Sequence, residues 1–106
     1  MLKVLESDVK HIDDIVENNP LLILYFYTDW CAPCKNIGST MEKLSEEYPE
    51  ILILKIDANN SLDLAKEYRV KSVPTLIFYK QGEILSSTSG SVSPAEIISL
   101  ISDLIE

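Results

Sequence analysis

The chain is predicted to fold as an α/β protein, with a central sheet covered by helices on both faces. Three observations predict this. Residues 21–27, Leu-Leu-Ile-Leu-Tyr-Phe-Tyr, are apolar or aromatic throughout, which suits a parallel strand buried on both sides. Strand-like and helix-like segments alternate, β-α-β-α-β-α and then a hairpin and a last helix, an order that needs helices on both faces of one sheet. The 106 residues are 46% hydrophobic, enough for one core and hence one domain over residues 1–106. Right-handed crossovers make the first three strands parallel.

Each element has its own signal. Residues 2–5 read as a short first strand. Ser7 or Asp8 is placed to cap a helix that carries Val9, Ile12 and Val16 on one face with Ile15 beside them. His11 lies off that stripe, as a surface histidine does. Asn18-Asn19-Pro20 ends the helix, and the strand at 21–27 follows. Thr28 and Asp29 turn the chain into a second helix over residues 33–48 with Ile37, Met41, Leu44 and Tyr48 as its apolar stripe. Gly38-Ser39-Thr40 are weak helix formers inside it. Pro49-Glu50 turns the chain into a third strand at 51–56, apolar except for Lys55. Ser61 is placed to cap a third helix with Leu64, Ala65 and Tyr68 on one face. Residues 75–79 and 84–88 flank Lys80-Gln81-Gly82-Glu83, a hairpin in which Gly82 supplies the turn dihedral. Ser93, Pro94 and Glu96 make a capping box for a last helix bearing Ile97, Ile98, Ile101, Leu104 and Ile105. No linker, repeat or low-complexity tract interrupts the chain.

Nine basic residues stand against seventeen acidic ones, a formal charge of −8. Such a surface excludes nucleic-acid binding, which demands basic patches, and otherwise resembles an ordinary solvated, soluble exterior. The first six residues are too short and too soon charged for a signal peptide. No apolar run approaches the roughly 18 residues of a membrane span. A cytoplasmic, non-membrane protein is expected, and in that reducing compartment a lone cysteine pair is catalytic rather than structural.

That pair, the only two cysteines, sits in Trp30-Cys31-Ala32-Pro33-Cys34-Lys35. Two intervening residues at a helix start let the thiols lie side by side and open or close one disulfide. Unpaired N–H groups and the helix dipole favour negative charge there, so a thiolate on Cys31 is stabilised. Cys34 stands one turn before Ile37, on the buried stripe, while Cys31 falls at an exposed tip. The spacing separates an outer attacking thiol from an inner, shielded one. Pro33 is tolerated because first-turn N–H groups need no helical partner. Trp30 is either an apolar rim beside the thiols or a core aromatic. Zinc wants four ligands, and only His11 is available beyond the two thiols, so no metal is expected. The chain has no dinucleotide fingerprint and is expected to bind no cofactor. The motif reads as a dithiol–disulfide exchange site.

Trp-Cys-x-Pro-Cys-Lys, Val73-Pro74-Thr75, Gly82 in a hairpin and Gly90 near the end together resemble the thioredoxin family, over nearly the whole chain. Ala32 replaces the family's usual glycine. The resemblance implies the thioredoxin fold, a mixed five-stranded sheet flanked by four helices with an antiparallel edge pair. It implies a protein-disulfide oxidoreductase acting mainly as a dithiol reductant: Cys31 attacks a substrate disulfide, and Cys34 resolves the mixed disulfide. Reducing equivalents come from NADPH through a flavoprotein thioredoxin reductase, and disulfide-containing client proteins are the substrates of what is expected to be a monomer.

The resemblance also makes Pro74 a cis proline packed against the dithiol, with the Val73 backbone turned outward to pair with an extended substrate. Proline ligates no metal and so keeps the thiols from becoming half of a zinc site. From sequence alone a cis bond is the minor form, about 5–6% of X–Pro bonds in folded proteins, and Pro74 reads as an ordinary trans proline at the start of an edge strand. Gly90 lets substrate backbone approach, or is a turn glycine, and the two are compatible. Lys35 favours nearby negative charge. Three departures stand out. Tyr25 occupies the position of the family's buried aspartate, which helps move the proton of the inner cysteine. Tyrosine is a poor base, with a reference pKa near 10, but donates or relays a hydrogen bond. Lys55 thereby loses its carboxylate partner and is expected to reach solvent or Tyr25; Asp57 and Asp29 are candidate substitutes near the surface. Ser39 replaces a kinking proline, and Arg69 replaces a helix-ending glycine, leaving that end without its easy left-handed residue. Ala32 and Tyr25 favour the alternative of a narrower-specificity donor or a disulfide isomerase with altered potential. A non-catalytic binding module on the same fold is the third reading.

Overall fold

The structure, a computed structural model, describes residues 1–5 and 11–106. In chain order the elements are β1 (Leu2–Val4), α1 (Asp13–Asn18), β2 (Leu21–Tyr27), α2 (Ala32–Glu47), β3 (Leu52–Asp57), α3 (Leu62–Glu67), β4 (Thr75–Lys80), β5 (Glu83–Ser89) and α4 (Pro94–Ile105). Among the described residues this is a mixed five-stranded sheet flanked by four helices, with strand order β1-β3-β2-β4-β5. β1, β3 and β2 are parallel, as the crossovers require, while β4 and β5 run antiparallel to their neighbours.

The apolar run of β2 occupies the middle of the sheet, so both its faces are covered. Ile23 and Tyr25 join Ile37, Met41, Leu44, Ile97, Ile101 and Leu104 on the face covered by α2 and α4. Leu22, Leu24 and Phe26 join Ile12 and Leu64 on the face covered by α1 and α3. Each fully buried Leu, Ile or Phe contributes about 1.5–3 kcal/mol of apolar transfer. This two-sided burial fixes the register, because a one-residue slip would exchange the two faces.

Element ends show where side chains departed from expectation. α2 begins one residue early, at Ala32, and runs without a break to Glu47. α4 has the expected Ser93 cap, whose hydroxyl accepts from the Glu96 N–H at 3.1 Å. Ser61 takes the cap position of α3, but its hydroxyl makes no capping bond; the side chain is buried instead. α1 starts at Asp13 without a side-chain cap. The predicted caps Ser7 and Asp8, and Val9 of the predicted stripe, lie outside the described residues. The hairpin closes through Gln81 (φ 52°) and Gly82 (φ 83°), both left-handed, which matches the twist of paired strands. A register shift between Phe78 and Tyr79 leaves Leu85 as an extra residue in edge strand β5.

Arg69 adopts φ 54° despite its side chain. Its N–H bonds the Lys66 carbonyl, and the Val70 N–H bonds the Ala65 carbonyl at 2.8 Å. That is a Schellman ending for α3, made without the glycine that normally relieves it.

Candidate active site

β2 and β3 end together, with Tyr27 opposite Asp57. Phe26 pairs with Thr75, and Thr75 with Ser89. The Thr28–Cys31 turn, Pro74 and Gly90 therefore gather at one end of the sheet, beyond the carboxyl ends of the parallel strands, where open α/β sheets place their sites.

Cys31 is the N-cap of α2, with extended backbone (φ −85°, ψ 107°). Its N–H bonds the Thr28 carbonyl at 3.3 Å. Its Sγ accepts from the Cys34 N–H at 3.2 Å, the role a serine or aspartate oxygen plays at other helix starts. Cys31 and Cys34 are joined as a disulfide, with Cα atoms 5.3 Å apart. The expected exposed tip is corrected here: Cys31 is 8% exposed against 3% for Cys34. The reason is that the Cys31 sulfur turns in toward the helix start, bonded to Cys34. Pro33 lies in the first turn of α2, and Ala32, Pro33 and Lys35 are exposed. Trp30 is 72% exposed, which excludes the core-aromatic reading.

The Val73–Pro74 peptide is cis, and Pro74 is buried. Its carbonyl accepts from the Gly90 N–H at 2.8 Å, and the Thr75 hydroxyl donates to the Ser72 carbonyl at 2.7 Å. These bonds hold the Val73–Thr75 segment against the Gly90 turn. Gly90 has φ 77°, and a Cβ there would meet nothing within 4 Å. Backbone conformation selects glycine at this position, and the space before it is open.

Behind the dithiol, the Tyr25 hydroxyl donates to the Cys34 carbonyl at 2.7 Å. Burial, then the neighbouring Tyr27, pushes the Tyr25 phenol up to about 12, so it is a neutral donor and no base. Lys55 is half-buried and makes no hydrogen bond to Tyr25: its Nζ lies over the Tyr27 ring, 4.5 Å from the centroid, a cation–π contact. Asp57 is occupied by its own turn, accepting from the Asn59 N–H at 2.9 Å and the Asn60 N–H at 3.3 Å. Burial, Asp57 and Asp29 together raise the Tyr27 phenol. Tyr25, Tyr27, Cys34, Gly38, Glu42 and Lys55 line a cavity of about 290 Å³.

Sequence reasoning missed that cavity, because its walls come from β2, α2 and β3. The available signal was the spacing Cys34–Gly38–Glu42, one row of a helix. It also missed a groove of about 330 Å³ in front, where Asn36, Ser91 and Val92 join Ala32 and Pro33. Among the described residues no three His, Cys, Asp or Glu side chains gather as metal ligands, and no helix is long and apolar enough to cross a membrane.

Comparison with known proteins agrees with this geometry. The sequence profile of the thioredoxin family matches residues 3–103. A thioredoxin of Chlamydia trachomatis is 38% identical over 82 residues, 77% of this chain and 80% of that one. Thioredoxin-2 of Saccharomyces cerevisiae is 34% identical over 97 residues, 92% of each chain. Among solved structures, oxidised mitochondrial thioredoxin 3 of Saccharomyces cerevisiae superposes with a TM-score of 0.87 at 30% identity, covering 97% of this chain and 95% of that one. With two thiols bridged at the start of a long helix, beside a cis proline on a β1-β3-β2-β4-β5 sheet, the chain belongs to the thioredoxin family, and its Cys31–Cys34 pair is the redox-active disulfide of a thiol–disulfide oxidoreductase.

Proposed function

We propose that the protein works mainly as a dithiol reductant of protein disulfides, with Cys31 as nucleophile and Cys34 as resolving thiol. The observation that carries the assignment is the Cys34 N–H directed at the Cys31 sulfur, 3.2 Å away, at the start of the 16-residue helix α2. A hydrogen-bond donor and a helix dipole both favour the thiolate at Cys31. The Cys31 thiolate attacks one sulfur of a substrate disulfide, and the other substrate sulfur leaves as a thiolate. Cys34 then attacks Cys31, and the second substrate sulfur departs.

Substrate binding falls to the groups around Cys31. Trp30, Ala32 and Pro33 offer exposed surface, with Lys35 one step behind. Val73 lies just outside β4 and has no backbone hydrogen-bond partner among the described residues, so its edge is free for an extended peptide. Pro74 and Gly90 complete that wall. Tyr25, Lys55 and Asp57 tune the rear: Tyr25 by holding the Cys34 carbonyl, Lys55 by its charge, and Asp57 by shaping the turn after β3.

Reducing equivalents come from NADPH through a flavoprotein thioredoxin reductase, and clients are disulfide-containing proteins in the cytoplasm, met by a monomer of one domain. Similarity to thioredoxins supports this direction of electron flow. The neutral phenol at Tyr25, where the family has a carboxylate, favours a second reading, a donor with a narrower client range. Insulin reduction driven by NADPH and a thioredoxin reductase tests the proposal. Turbidity should develop with the wild-type protein and not with Cys31→Ser; activity in that variant would exclude the nucleophile. Turnover with a single client and none with insulin would favour the narrower donor.

A further inference from the structure

Resolution by Cys34 requires that its proton leave. In that step the Cys34 S–H bond breaks, a Cys34–Cys31 bond forms, and the Cys31–substrate bond breaks. The electron pair departs with the substrate sulfur, which takes up a proton; the protein dithiol is oxidised and the substrate reduced. Cys34 is 3% exposed, so the proton has to leave through the interior. The cavity behind it is the open path.

The charged and phenolic groups facing that cavity are Tyr25 and Tyr27 from β2, Asp29 from the turn, Lys35 and Glu42 from α2, and Lys55 from β3, with the hydroxyls of Thr28 and Ser39 beside them. Both phenols are held protonated, and the Tyr25 hydrogen is committed to the Cys34 carbonyl. The lysines are cations without a lone pair. Of the two carboxylates, Asp29 lies in the turn before Cys31, outside the helix that carries Cys34. Glu42 stands in the same helical row as Cys34, with Gly38 between them, and all three line the cavity. A Cβ at Gly38 would lie 3.5 Å from the Tyr25 hydroxyl, in contact. A longer side chain would grow into the cavity. The volume of about 290 Å³ and the polar walls suit several waters, at roughly 30 Å³ each.

We propose that this cavity is the proton exit of the resolving thiol: water within it passes the Cys34 proton to the Glu42 carboxylate, and Gly38 keeps the path open. The proposal rests on the exchange reading above. Glu42 acts through water and Gly38 by leaving room, so both are positioning residues. Lys55, fixed over Tyr27, faces the same water and favours the Cys34 thiolate as it forms.

Single-turnover kinetics test it. Reduced protein is mixed with a disulfide substrate, and capture at Cys31 and resolution by Cys34 are followed separately from about pH 6 to about pH 9, a window that brackets the reference thiol pKa. With a carboxylate as acceptor, wild-type resolution is nearly flat across that range. Glu42→Gln, a change at an exposed residue, should slow resolution on the order of 100-fold near pH 6 and little near pH 9, giving a profile that climbs with pH. Added imidazole, small enough to enter, should restore the Glu42→Gln rate. Gly38→Leu should slow resolution alike without rescue by imidazole. A wild-type profile in Glu42→Gln, or a loss there that imidazole leaves untouched, overturns the proposal. Capture reads the exchange chemistry alone: its absence in wild-type protein overturns both readings, whereas normal capture with an unchanged resolution profile overturns only the cavity route.

Discussion

The two sides of the Cys31–Cys34 bond are built from different materials. In front, Trp30, Pro33, the Val73–Pro74 peptide and Gly90 present apolar surface and backbone. Behind, Tyr25, Lys55, Glu42 and Asp29 present hydroxyl and charge around a cavity. The front carries the residues on which the resemblance rests, apart from Ala32. The rear holds two of the departures from it, Tyr25, which faces the inner cysteine's carbonyl, and Ser39. Recognition of extended peptide backbone is thus separated from the handling of the inner thiol, and one can change while the other is kept.

Substitutions on each side should break or sharpen that division. The largest effect is expected from the sulfurs themselves: Cys31→Ser should reduce insulin reduction to the uncatalysed background, while Cys34→Ser should trap a mixed disulfide visible as a mass adduct. Next, Tyr25→Asp should lower stability by about 2–4 kcal/mol through the space it empties, and in the Glu42→Gln background it should restore resolution near pH 6 by putting a carboxylate behind Cys34. A double variant no faster than Glu42→Gln would count against a role for the rear wall. Trp30→Ala should lower kcat/KM about tenfold through KM, as loss of an interface aromatic does, with stability moved by less than about 0.5 kcal/mol because the side chain is exposed.

A smaller effect lies at alkaline pH. Tyr25 binds its proton more tightly folded, near 12, than unfolded, near 10. The unfolded state therefore holds fewer protons between these values, and stability falls as pH rises through them. Urea titrations should show Tyr25→Phe losing about 2 kcal/mol less than wild type over that interval. Near neutrality the same variant should cost about 1 kcal/mol for its lost donor, since the helical N–H of Gly38 still serves the carbonyl. The smallest effect calibrates the rest. Arg69→Gly should raise stability by about 1 kcal/mol by relieving the left-handed backbone, leaving both sides of the disulfide and their rates unaltered.

The dithiol itself was legible because its signals are local, whereas the parts of Val73, Pro74 and Gly90 came from resemblance. Two cysteines at fixed spacing, a proline in the first turn and an apolar run before them carry their meaning in sequence order. The strand order came from resemblance, since periodicity does not say which strands pair. The rear was illegible because Tyr25 bonds a backbone carbonyl, and main-chain acceptors leave no mark in a sequence. Lys55 likewise took the face of Tyr27 over the hydroxyl of Tyr25, a choice set by side-chain reach across neighbouring strands. Trp30 suits a rim or a core equally by residue type, and the fold alone sets its exposure. Ser61 had the right residue type for a cap, yet burial in the turn after β3 claimed its side chain. Arg69 shows the reverse: a residue with no preference for the left-handed region accepts it when two carbonyls at the end of α3 require partners.

The bond from Tyr25 to the Cys34 carbonyl has one more consequence. Its acceptor is a peptide oxygen and its donor an uncharged phenol, and neither changes when electrons enter or leave the sulfurs. That contact is electrically silent through a full cycle. It is the same in oxidised and reduced molecules, so the groups around it can gain or lose a proton while the peptide of Cys34 stays anchored for the next client.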